Sequence, residues 1–193
     1  MEHLGSIGGA LALVEAIAAA AFTVIAYRLY IVYSRLREDP LESGLAGFTL
    51  LAASSLAMMI ASLASSPRAS LSIYVASSIL AVGGFYLLSP LRGMTVVIPL
   101  GGLKVLVALF DYLAGIMGFT ASQTTRGPAR VLLAIIALSY MVRGTSMLGG
   151  ALGMGPASVA LALFVGELLR AASAAALAVF YATLGGNGEE EEE

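Results

Sequence analysis

A chain of 193 residues that is 59% hydrophobic and only 11% charged, with a mean hydropathy of +0.94, belongs in lipid rather than water, since soluble domains carry about 25% charged residues. The net charge is −2, and the run Glu189–Glu193 supplies five of the twelve acids; without it the balance is +3, too small to argue for nucleic acid as a partner. Cysteine is absent and His3 is the lone histidine, which excludes disulfides, thiolate metal sites and an intramembrane imidazole for haem or metal.

Repeated apolar runs of roughly 20 residues are each ~30 Å long as helix, enough to cross a bilayer. Hydrocarbon leaves every backbone group to find an internal partner, so spanning segments are helices or closed barrels. These runs are rich in Ala and Leu and do not alternate apolar with polar, which argues against barrel strands. The fold class expected is all-α, a polytopic transmembrane helix bundle of about six spans: one unit over residues 1–185, then a disordered acidic tail over 186–193.

The first helix is expected over Ile7–Tyr33. No basic segment precedes it and no cleavage site ends it, so it reads as a retained helix rather than a signal peptide. Tyr27, Tyr30 and Tyr33 recur every three residues, and with Arg28 and Arg35 they form an interfacial anchor of amphipathic rings beside cations at headgroup level. Pro40 is expected to break the chain before a second helix over Ser43–Leu63, whose Ser and Ala content suits close packing. A short turn at Ser65–Arg68 leads to the third helix, Ser70–Leu88, in which Gly83-Gly84 marks a bend or close contact.

The fourth apolar stretch, Met94–Gly118, holds Lys104 and Asp111, with Pro99 and Gly101-Gly102 just before the lysine. The expectation there is a packing kink, with a ligand-coordinating break of the transporter kind as the alternative. Phe119–Arg130 reads as the longest polar connection. The fifth helix follows over Ala129–Leu148, with Tyr140 and Arg143 towards its end. Gly149 and Gly153 form a small-xxx-small pair compatible with helix contact. Pro156 opens the sixth helix, which carries Glu167 and Arg170 and reaches Leu184.

Charges at membrane depth cost several kcal/mol unless they are paired or face water. Lys104 and Asp111 share a helix face but stand ~10 Å apart along it, too far to pair with each other. Glu15 lies ~12 Å from the start of helix one and Asp111 ~10 Å before the end of helix four. With six alternating spans those ends share one surface, and both carboxylates then occupy one layer. Two readings of the candidate intramembrane network Glu15, Lys104, Asp111, Glu167 and Arg170 follow. Either three acids and two bases knot helices one, four and six together, or Glu15 and Asp111 relay a proton or cation, with Lys104 or Arg170 alternating between them. No internal repeat is apparent, although a three-plus-three inverted repeat fits the helix count.

No HExxH, CxxC, Walker loop or Ser-His arrangement occurs, so neither catalysis nor a cofactor is expected. With Arg28, Arg35, Arg37, Arg92 and Arg143 in the cytoplasm against Arg68, Arg126 and Arg130 outside, the chain reads as a multi-pass protein of the cell membrane with both termini outside. The segments Tyr27-Arg28, Tyr30, Tyr33, Arg35, Gly47-Phe48, Leu50-Leu51 and Gly166–Arg170 resemble a pattern in small uncharacterised archaeal multi-helix membrane proteins. Some of those are membrane-sensing modules fused to signalling domains, and the resemblance implies the fold and no activity. The function expected is a non-enzymatic, sensor-like or assembly component, or alternatively a small proton- or cation-coupled transporter using Glu15, Asp111 and Lys104. Its partners would be the lipid bilayer and a second copy or another membrane protein, with no nucleic acid.

Overall fold

A computed structural model of the protein describes residues 2–90 and 102–184, with side chains placed from residue 8 to residue 183 within those limits. Six helices follow one another: α1 (Glu2–Leu36), α2 (Asp39–Leu63), α3 (Pro67–Leu88), α4 (Leu103–Thr124), α5 (Pro128–Ala151) and α6 (Pro156–Leu184). All six are long and apolar enough to cross a membrane, so the chain is a multi-pass, all-helical transmembrane bundle. The acidic run Glu189–Glu193 lies outside the described residues.

Proline opens helices here rather than ending them. Pro40, Pro67 and Pro128 each stand in the first positions of their helices, where a missing N–H costs nothing and the fixed φ is already helical. The second and third helices therefore begin earlier than Ser43 and Ser70. Ser66 caps α3 by accepting from the Ala69 amide. At the α1–α2 turn Arg37 takes the left-handed conformation, φ 52°, and its amide donates to the Tyr33 carbonyl at 2.8 Å.

The fourth helix departs most from expectation. It starts at Leu103, with Gly102 as its N-cap, and runs on to Thr124 through the supposed polar connection. Its hydroxyls make this feasible: Thr120, Ser122 and Thr124 donate to the carbonyls of Met117, Phe119 and Ala121, three residues back, so these three hydroxyls are satisfied within the helix. Met94–Gly101, including the expected kink at Pro99, falls outside the described residues.

Cross-helix contacts fix the direction of each span. Ser54 pairs with Ser77, and Ser70 with the Ala61 carbonyl, so α2 and α3 are antiparallel. Ser78 meets Asp111 and Ser89 meets Thr120, so α3 and α4 run the same way. Gln123 holds Arg130 and Tyr112 holds Thr145, which makes α4 and α5 antiparallel. Each helix packs on its two neighbours in order, and α6 closes on α1, giving a ring of six among the described residues.

Because α3 and α4 are parallel, α1–α3 and α4–α6 are two three-helix halves with the same direction sequence. The arrangement is a parallel three-plus-three relation, not the inverted one that the helix count allowed. The start of α1 and the end of α6 consequently lie at opposite ends of the bundle. The end holding the start of α1 is termed proximal, the other distal.

Two glycines bring α2 and α3 together. A Cβ at Gly47 would lie 2.9 Å from the Gly84 carbonyl oxygen, and one at Gly84 2.9 Å from that of Gly47. The Gly83-Gly84 pair thus marks a close approach within a helix that continues to Leu88. Gly149 and Gly153 make no interhelical seam: Gly149 faces Met154 in the α5–α6 turn, and Gly153 is a turn residue at φ +89°.

Candidate functional site

A polar layer crosses the ring, with a contribution from every helix: Glu15 (α1), Ser54 and Ser55 (α2), Ser77 and Ser78 (α3), Asp111 (α4), Arg143 (α5), Glu167 and Arg170 (α6), all buried. Asp111 and Arg143 each lie about 12 Å along their helices from the proximal end, and Ser78 and Glu167 about 16 Å. That depth is close to the middle of a ~30 Å hydrocarbon core.

Two ion pairs organise the layer. Arg143 donates through Nε to Asp111 Oδ2 at 2.7 Å and through Nη2 to Oδ1. This is the forked geometry that favours arginine over lysine at a carboxylate. Ser78 completes the group, donating to Asp111 Oδ1 at 2.7 Å and lying 3.1 Å from Arg143 Nη2. Arg170 Nη2 meets both oxygens of Glu15 and lies 2.7 Å from Glu167 Oε2 on its own helix. Glu167 also reaches towards Arg143, with Oε1 3.7 Å from Nη1, and so links the pairs. Both guanidinium carbons lie against the Tyr140 ring, at 4.7 and 5.0 Å from its centroid, where the face of the π-system adds attraction for cations.

Three acids and two bases do converge, but the second base is Arg143 and not Lys104. Lys104 sits in the first turn of α4, exposed, with its ammonium 3.5 Å from the Gly150 carbonyl at the proximal end. A helix beginning at Met94 would bury the lysine, whereas α4 begins at Leu103, one residue before it. Arg143 was assigned to a cytoplasmic helix end, yet its side chain is 1% exposed. Its signal in the sequence was the apolar and small flank, Met141-Val142 and Gly144: the absent side chain of Gly144 admits the Ala108 carbonyl of α4, 3.0 Å from where a Cβ would stand. Glu15 and Asp111 do share one layer, although Asp111 is measured from the start of α4 and not from its end. They occupy matching places, each on the first helix of its half and facing the third helix of the other. The knot joins α1, α3, α4, α5 and α6, more helices than expected.

Covering of the layer is unequal. The main apolar core, with Phe22, Phe48, Leu51, Phe85, Ile136 and Leu177, lies between the layer and the distal end. On the proximal side, among the described residues, Val107, Ala108 and Met147 form a second core cluster, and Met58 and Ala61 are buried as well. Several buried polar atoms are left without a hydrogen-bond partner: Ser55 Oγ, Tyr140 Oη, Arg143 Nη1, Glu167 Oε1 and Arg170 Nε.

The aromatic and basic cluster of α1 stands at the distal end, with Tyr27 and Tyr30 exposed and Arg28 half-buried. Tyr33 approaches Glu42 at 3.5 Å, and Arg35 is exposed. It is separate from the charge network by more than two helical turns. No group of three His, Cys, Asp or Glu side chains able to hold a metal occurs among the described residues. Comparison with known protein families, curated proteins and solved structures finds no match.

Proposed function

We propose that the protein is a small proton-coupled membrane transporter whose site is the buried network of Glu15, Asp111, Arg143, Glu167 and Arg170. One observation carries this reading: an ionisable cluster with one more acid than base lies at mid-depth where two three-helix halves of like direction meet. Transporters built from repeats place their coupling sites there, and intramembrane charge marks ion pathways. The apolar core between the layer and the distal end suits a conformation closed towards that end. Lys104 has no part in the relay.

Among the described residues the distal end carries Arg28, Arg35, Arg37, Arg126 and Arg130, while the proximal end carries Arg68 and Lys104. By the positive-inside tendency the distal end faces the cytoplasm, with α1 starting outside and α6 ending inside. A cysteine at Thr125, labelled from the cytoplasmic side only, checks this orientation.

A second reading, a sensor-like or assembly component in which the network is a static clasp, draws on the burial of all five charged groups to 2% exposure or less. It also draws on an outward groove of about 260 Å³ between α5 and α6, lined by Leu138, Met141, Val142 and Val159 among others, on which a partner helix can lie. Proteoliposomes with an imposed pH gradient and clamped voltage separate the two readings. Wild type should discharge the gradient faster than Glu167→Gln, alone or on addition of small organic solutes. Equal discharge by both proteins and by empty vesicles would leave the clasp.

A further inference from the structure

Three carboxyl groups and two guanidiniums cannot all be ionised here without leaving a net negative charge in a site with no water-exposed member. The geometry says where the discrepancy falls. Asp111 is saturated by Arg143 and Ser78. Glu15 and Glu167 instead converge on a single nitrogen, Arg170 Nη2, which meets Glu15 Oε1, Glu15 Oε2 and Glu167 Oε2. That nitrogen carries two hydrogens for three oxygens, and Arg170 Nε is turned away without a partner. Both carboxyl groups are therefore within hydrogen-bond reach of one donor atom, which sets their oxygens side by side. Two carboxyl groups this close cannot both ionise without strong repulsion, and one proton shared between them removes it.

We propose that Glu15 and Glu167 share one proton across the α1–α6 interface, and that this pair is the proton-binding site of the network. The step is the addition of H⁺ to one carboxylate oxygen, which leaves a carboxylic acid donating to its partner and brings the network to neutrality. A metal cation would also restore neutrality, but the acids do not cluster as metal ligands. The groups facing the pair are Arg170 from α6, Arg143 and Tyr140 from α5, Asp111 from α4 and Tyr74 from α3; on α2 the layer has only the hydroxyls of Ser54 and Ser55. Two arginines therefore stabilise the remaining negative charge while the proton stays on the glutamates. This locates the coupling proton of the transport reading, on which its functional meaning rests, but the proton's presence is measured independently of flux.

The test is infrared spectroscopy of the full-length protein in lipid nanodiscs at neutral pH, unlabelled, with ¹³C-labelled glutamate and with ¹³C-labelled aspartate. The expected result is a carbonyl band of an un-ionised carboxylic acid that moves with the glutamate label, not with the aspartate label, and persists in sodium buffer. It should disappear in Glu167→Gln and in Glu15→Gln and remain in Lys104→Gln. Absence of the band in wild type, its response to the aspartate label, or its loss on adding sodium would overturn the proposal. The isotope arms use unaltered protein, so an unstable variant cannot obscure the outcome. A band without flux would refute transport and keep the site; flux without a band would refute the site and keep transport.

Discussion

Removing the Asp111 carboxylate should be the most costly single truncation at the site. Asp111→Ala strips Arg143 of its Nε and Nη2 contacts and removes the acceptor of the Ser78 hydroxyl. Each charge-assisted hydrogen bond is worth about 1.5–3 kcal/mol, but the larger consequence is an uncompensated guanidinium that is 1% exposed. Breaking a buried pair from one side costs about 3–5 kcal/mol, much of it the burial of the abandoned charge. The Tyr140 face and Glu167, 3.7 Å away, offset only part of this. The expected loss is therefore ~3–5 kcal/mol for Asp111→Ala, and less for Asp111→Ala combined with Arg143→Met, because no charge is then stranded. Reversible unfolding in mixed micelles with increasing denaturing detergent measures both. A single-mutant loss below ~1 kcal/mol, or a double mutant less stable than the single one, would refute the assigned pairing.

The parallel course of α3 and α4 is testable directly, since the chain has no cysteine: Ser89→Cys with Thr120→Cys, whose hydroxyl oxygens are 2.7 Å apart, should form a disulfide on mild oxidation, detected by peptide mass mapping. Lys104→Gln should change detergent unfolding by no more than ~0.5 kcal/mol, because its ammonium is exposed. Gly84→Ala should destabilise by about 1–3 kcal/mol in the same assay, as its Cβ meets the Gly47 carbonyl at 2.9 Å and backbone must move. Gly127→Ala, at φ 65° and ψ −151°, should cost about 1–3 kcal/mol although nothing crowds the site.

Much of the architecture was legible in composition and apolar run length, because lipid imposes internal hydrogen bonding on any span. What composition does not encode is the direction of a span. Alternation is the default when each connection is a short turn, and it fails here at one place: Pro90 and Gly102 stand at opposite ends of the bundle. From that single departure follow the like direction of the two halves and the placing of the start of α1 and the end of α6 at opposite ends of the bundle. The register of one helix start did the rest. Placing it at Met94 buried Lys104, whereas starting it at Leu103 exposes the lysine and puts Asp111 about 12 Å deep, level with Arg143.

The two halves differ in one respect that bears on function. In the second half the acid of the first helix, Asp111, is held by an arginine of the same half, Arg143, and by Ser78 across the interface. In the first half the acid, Glu15, is held only across the interface, by Arg170, and the second helix offers Ser55, whose hydroxyl is unpartnered. Separating the halves would thus leave Asp111 its ion pair but take from Glu15 its cation. A carboxyl group that loses its cation in a low-dielectric layer keeps a proton rather than ionise. Like direction of the halves with unlike pairing of their acids would leave the shared proton on Glu15 if one half moved against the other. The same asymmetry predicts that Arg170→Gln alters the pH dependence of any proton flux, whereas Arg143→Gln acts first on stability.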